Sequence, residues 1–129
     1  MDPISDMLSH IRNAGAAKKQ SVRFPYSKIK NDIAKILAKN GYVARVGTIG
    51  KKQNKLLEVE LAYTKEGAPK IIGSRRVSKP SCRIYQGFRE IRPLRRGHGM
   101  IVVTTPKGIL SDTDARKAKV GGEVLFTIW

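Results

Sequence analysis

Apolar residues near the start of the chain recur at the spacing of a helix. Ile4, Met7, Leu8, Ile11 and Ala14 follow the i, i+3, i+4, i+7 pattern, behind Asp2 as N-cap and Pro3 at the first helical position. After Gly15 and a Lys-Lys-Gln turn the period shortens to two, predicting a strand over 21–24 that Pro25 closes. Ser27 then predicts the cap of a second helix. Its inward face would be Ile29, Ile33, Ile36 and Leu37, its end Asn40-Gly41, and its outer stripe Lys28, Lys35 and Lys39. Residues 42–49 and 56–63 alternate as two strands around a polar loop at 50–55, which is the signature of an antiparallel hairpin.

Residues 64–69 read as a linker and set the expected division: an N-terminal helix-strand-helix-hairpin unit over 1–64 and a C-terminal unit over 65–129. In the second, strand signals cover 71–77 and 83–85, with Pro80 between them marking a turn. A short helix is expected before Gly97, with Arg95 and Arg96 in its last turn. The apolar strand that begins at Met100 runs into a rigid polar loop, Thr104, Thr105, Pro106, Lys107 and Gly108. A helix capped by Ser111 follows, with Asp112 and Asp114 at the positive end of its dipole and Gly121-Gly122 at its end. In a final strand over 123–129, Val124, Phe126 and Ile128 alternate with Leu125, Thr127 and Trp129. The fold class is α+β: two small subdomains, the second mostly antiparallel β with short helices.

Charge changes this from a fold to a functional question. The 129 residues carry 26 Lys and Arg against 10 Asp and Glu, a formal charge of +16, which points to a polyanionic partner. Between Lys70 and Arg96 stand nine basic residues and one acid, Glu90. Arginine dominates that run, and its planar guanidinium can fork onto phosphate or stack on a base. With Tyr85 among them, Arg75, Arg76, Lys79 and Arg83 suit structured RNA. The longest uninterrupted apolar stretch falls far below the roughly twenty residues of a membrane span, and no signal-peptide pattern opens the chain, so the expected location is the cytoplasm. One cysteine excludes an intramolecular disulfide.

Catalytic readings are weak. Cys82 has only His10 and His98 to activate it and reads as a small buried hydrophobe. Gly97-His98-Gly99 and Gly121-Gly122 lack the Lys and Ser/Thr of a phosphate loop. Asp112, Asp114 and Glu123 could hold magnesium for phosphodiester cleavage, but helix capping explains the two aspartates more simply. The residues predict a non-enzymatic RNA binder with no cofactor, no metal and no small-molecule substrate. The alternative is a sequence-tolerant nucleic-acid chaperone or DNA-binding module.

Three separated stretches add a resemblance. The run 104–108 followed by Ile-Leu-Ser-Asp, an Ala-Arg-Lys helix and Val-Gly-Gly-Glu-Val-Leu resembles the C-terminal signature of the bacterial-type small-subunit ribosomal protein S-eight family. The opening Asp-Pro-Ile-Ser-Asp-Met-Leu-Ser-His-Ile-Arg-Asn-Ala and the middle Arg-Val-Ser-Lys-Pro and Arg-Ile-Tyr elements resemble the same family in the same order. The resemblance implies a structural part of the ribosome, a monomer among neighbouring small-subunit proteins, that binds the central domain of small-subunit ribosomal RNA and supports its assembly. In some bacteria members also repress translation of their own operon's messenger RNA. Carried over, the family's Ser-Thr-Ser loop followed by Lys or Arg and Gly corresponds to Thr104, Thr105, Pro106, Lys107 and Gly108, departing at Thr104 and at Pro106. Tyr85 matches the Arg-Ile-Tyr element and Glu123 the Gly-Gly-Glu element, while Ser81-Cys82 stands where the family often has Gly and a larger apolar residue. Arg12, Lys28 and Lys30 are further candidates for backbone contacts.

Overall fold

The computed structural model describes residues 2–93 and 99–129. The helix expected before Gly97, with Arg95, Arg96 and His98, lies outside the described residues. The chain divides into two compact units, Pro3–Ile72 and Gly73–Trp129, the second including Asp2.

The first unit is α1 (Pro3–Ala16), β1 (Ser21–Pro25), α2 (Lys28–Lys39), β2 (Val43–Ile49) and β3 (Leu56–Leu61). β3 is the central strand, antiparallel to β1 and β2, so that Val59 faces Val22 on one side and Val46 on the other. The alternation of β3 buries Leu57, Val59 and Leu61, and α1 buries all five of its expected inward residues. α2 differs. Ser27 caps it by accepting from the Lys30 N–H, as expected, but the buried stripe is Ile33, Ala34 and Leu37, while Ile36 is only half-buried and Ile29 is 41% exposed. At about 100° per residue, Ala34 pulls the centre of the stripe round and leaves Ile29 and Ile36 at its margin. Residues 65–72, read from sequence as the start of the second unit, fold back onto the first. The Thr64 N–H donates to Ala68 O, the Lys70 N–H to Ala62 O, and Tyr63 pairs with Pro69.

Among the described residues the second unit is a five-stranded antiparallel sheet with one helix: β4 (Ser74–Arg76), β5 (Tyr85–Gln86), β6 (Met100–Thr105), β7 (Gly108–Ser111), α3 (Asp112–Ala118) and β8 (Gly122–Ile128). The order is β4-β8-β6-β7, with β5 also paired to β8. Ile101, Val103 and Val124 form a core with Ala115 of α3 and Ile91, on which Val77, Leu110 and Val120 also pack. Ser111 caps α3 as expected, accepting from the Asp114 N–H. Asp112 does more than meet the helix dipole. Its buried carboxylate accepts from the Ile101 N–H at 3.1 Å and from Arg116 at 2.9 Å, tying α3 to β6. The helix stops at Lys119 in the left-handed region, before the glycines expected to end it. Those glycines serve close approach instead. A Cβ on Gly121 would lie 2.3 Å from Gln86 O, and one on Gly122 1.9 Å from Thr104 O.

Candidate nucleic-acid interface

Register decides which polar residues share a face, because directly opposed residues of an antiparallel pair point the same way. Tyr85 pairs with Glu123, Glu123 with Thr104, and Thr104 with Ile109, a single row across β5, β8, β6 and β7. Further along, a one-residue shift separates the pairs Val102–Phe126 and Val103–Val124, leaving Leu125 as a bulge. Beyond that bulge Val102, Phe126 and Ile128 are fully buried, whereas Thr104 and Glu123 are half-buried and Tyr85 is 66% exposed. The polar row is therefore the open end of the sheet.

The loop next to this row is smaller than expected. Thr104 and Thr105 belong to β6 and Gly108 to β7, so only Pro106 and Lys107 turn the chain. Proline cannot take the positive φ that a primed hairpin turn requires, and the positive φ falls on Gly108, at 105°. Thr105 closes the turn from inside. Its hydroxyl donates to Gly108 O at 2.8 Å and accepts from the Lys107 N–H at 3.1 Å. Lys107 stands exposed at the tip.

Glu123 finds a cation in Arg83, whose Nη1 reaches its two oxygens at 3.3 and 3.2 Å. Ile84, which lies between Arg83 and Tyr85, is held by Ser78, which is fully buried and which the sequence pattern did not mark. Its hydroxyl donates to Ile84 O and accepts from the Ile84 N–H at 2.8 Å, and its own N–H donates to Val124 O. A lone serine in a basic run has no periodicity to betray it. Cys82 is a correction: it is exposed, not buried, in a reversal closed by two backbone bonds with Lys79.

Arg75, Lys79, Arg83, Arg89 and Arg92 are exposed on the second unit. Arg76 is not available in the same way. Its side chain is only 13% exposed, pairs with Asp2 at 2.9 Å and donates to Leu125 O at the bulge. Phosphate binding by Arg76 would have to break that set. Arg76→Ala is expected to lower stability by about 2 kcal/mol, seen as a fall in Tm, while Arg75→Ala leaves Tm unchanged. In the first unit Arg12 and the stripe Lys28, Lys35 and Lys39 are exposed. Lys30 departs from that stripe, with its ammonium 5.9 Å from the Phe24 ring centre.

Metal chemistry has little support in these side chains. Among the described residues no group of three His, Cys, Asp or Glu is placed to hold an ion, and Asp112 and Glu123 are each paired with an arginine. Nor is any helix among them long and apolar enough to cross a membrane.

Comparison with known proteins decides the family. Residues 2–129 match the family model described as ribosomal protein S8. The chain belongs to the ribosomal protein S8 family. Similar proteins, each named small ribosomal subunit protein uS8, come from Persephonella marina (47% identical, covering 99% of this chain and 98% of that protein) and Koribacter versatilis (41%, 99% and 96%). A third, from Erythrobacter litoralis, is 44% identical over 99% of this chain and 97% of that protein. The S8 family is structural and non-enzymatic, in agreement with the absence of a catalytic constellation from the sequence motifs.

Proposed function

We propose that this chain is a structural constituent of the small ribosomal subunit, and that its second unit binds the central domain of small-subunit ribosomal RNA directly and supports assembly there. The observation that carries this reading is the row Tyr85, Glu123, Thr104 beside the Pro106-Lys107 turn. It combines an exposed aromatic ring for stacking with a carboxylate acceptor, a hydroxyl and a cation, the group types that read unstacked bases and 2′-hydroxyls. Arg75, Lys79, Arg89 and Arg92 supply phosphate neutralisation on the same unit, and Arg12, Lys28 and Lys30 are the backbone contacts proposed for the first. Neighbouring small-subunit proteins complete the partners. Repression of its own messenger RNA would use the same surface.

Footprinting on whole small-subunit ribosomal RNA tests the proposal. Protection confined to one helix of the central domain supports it; diffuse protection, with random duplex competing equally, points to a sequence-tolerant chaperone. The two threonines should separate. Thr104→Ala is expected to cost about 1–3 kcal/mol on the ribosomal RNA fragment while random duplex binding and the salt slope stay unchanged. Thr105→Ala acts through the turn, since two hydrogen bonds go with its hydroxyl, so exchange of the Lys107 amide should quicken and the lysine's contribution to the slope should fall.

A further inference from the structure

The carboxylate in the middle of the proposed interface poses an electrostatic problem, because an anion there repels every phosphate that approaches. The pairing of Glu123 with Arg83 is lopsided. The Glu123 side chain is 12% exposed, sunk between its register neighbours Tyr85 and Thr104, whereas that of Arg83 is 57% exposed. The arginine reaches both carboxylate oxygens through one nitrogen. An ion pair so open to water contributes little to folding.

We propose that Arg83 is a positioning residue of the RNA interface: it acts through Glu123, cancelling the carboxylate's charge and holding it as an acceptor, and does not itself neutralise a phosphate. Arg83 thereby lets an acceptor for base amino groups or 2′-hydroxyls stand on a surface built for a polyanion. The inference rests on the proposed RNA-binding function and refines the role of one residue in it.

A double-mutant cycle on the full chain tests it, with Arg83→Ala, Glu123→Gln and the double variant titrated against a central-domain ribosomal RNA fragment and a random duplex over a range of salt. Arg83→Ala alone should weaken both RNAs roughly tenfold at low salt, because it exposes the carboxylate. In the Glu123→Gln background the same change should cost less than about twofold. Arg83→Lys, which keeps the charge, should recover most of the loss, and Tm should hardly move in any variant. In the Glu123→Gln background, where no carboxylate is exposed, the salt slope should be the same with and without Arg83. An equal loss in both backgrounds, together with a slope shallower by about 0.7–0.9, would show a direct phosphate contact and overturn the proposal. Equal wild-type affinity for the two RNAs would remove the proposed ribosomal RNA specificity alone, since the coupling is still read on the duplex.

Discussion

Affinity for the ribosomal RNA fragment should fall roughly 100- to 500-fold between 50 and 200 mM salt. This follows if about five phosphates are neutralised, because counterion release then gives a log–log slope near −3.5 to −4.5. Exposed cations among the described residues of the second unit include Arg75, Lys79, Arg89, Arg92 and Lys107, set in a chain of formal charge +16. Arg76 is spent on Asp2 and Leu125, and Arg83 on Glu123, so neither adds to the slope. A slope near zero in filter binding or anisotropy would refute the electrostatic account of this surface. Removing Lys107 with Ala should reduce the slope by roughly one contact's worth, leaving the fold intact because the side chain stands at a turn tip.

The largest effect on folding should come from Gly122→Ala. A methyl there would sit 1.9 Å from the Thr104 carbonyl oxygen, a backbone atom that cannot swing aside as a side chain could. Relief requires β6 and β8 to part at the Thr104–Glu123 pair, the centre of the proposed interface. The cost should be about 3 kcal/mol or more, and Tm should fall by roughly 10 °C. Gly108→Ala provides the contrast. Nothing lies within 4 Å of a Cβ there, so its penalty comes from the positive φ alone and should be about 1 kcal/mol. Thermal melts that ranked the two the other way would contradict the close approach of the strands.

Gly121 and Gly122 show where sequence patterns stop. Gly121-Gly122 reads as the end of a helix, since glycine commonly follows a last turn, yet Lys119 ends α3 and the glycines make room for β5 and β6. Nothing in a one-dimensional pattern distinguishes the freedom to bend from the absence of a Cβ. The Thr105 hydroxyl presents the same ambiguity. A hydroxyl in a motif can face a ligand or close its own turn, and only the distances to Gly108 O and the Lys107 N–H assign it to the turn.

What the sequence determined by itself were the features that depend on near neighbours in the chain. The burial of Ile4, Met7, Leu8, Ile11 and Ala14 follows from helical period, the Ser27 and Ser111 caps from a hydroxyl reaching an amide three residues on, and the β2–β3 hairpin from alternation around a polar loop. Net charge, being a sum over residues, needed no fold to suggest a polyanion. The tertiary structure decided whatever couples distant positions: the pairing of Tyr85, Glu123 and Thr104 in one row, the capture of Arg76 by Asp2 and of Glu123 by Arg83, and the Ser78 clamp on Ile84. Such pairings depend on strand order and register, and a one-residue bulge at Leu125 reverses which side chains face out. Local periodicity is blind to register because every register preserves it.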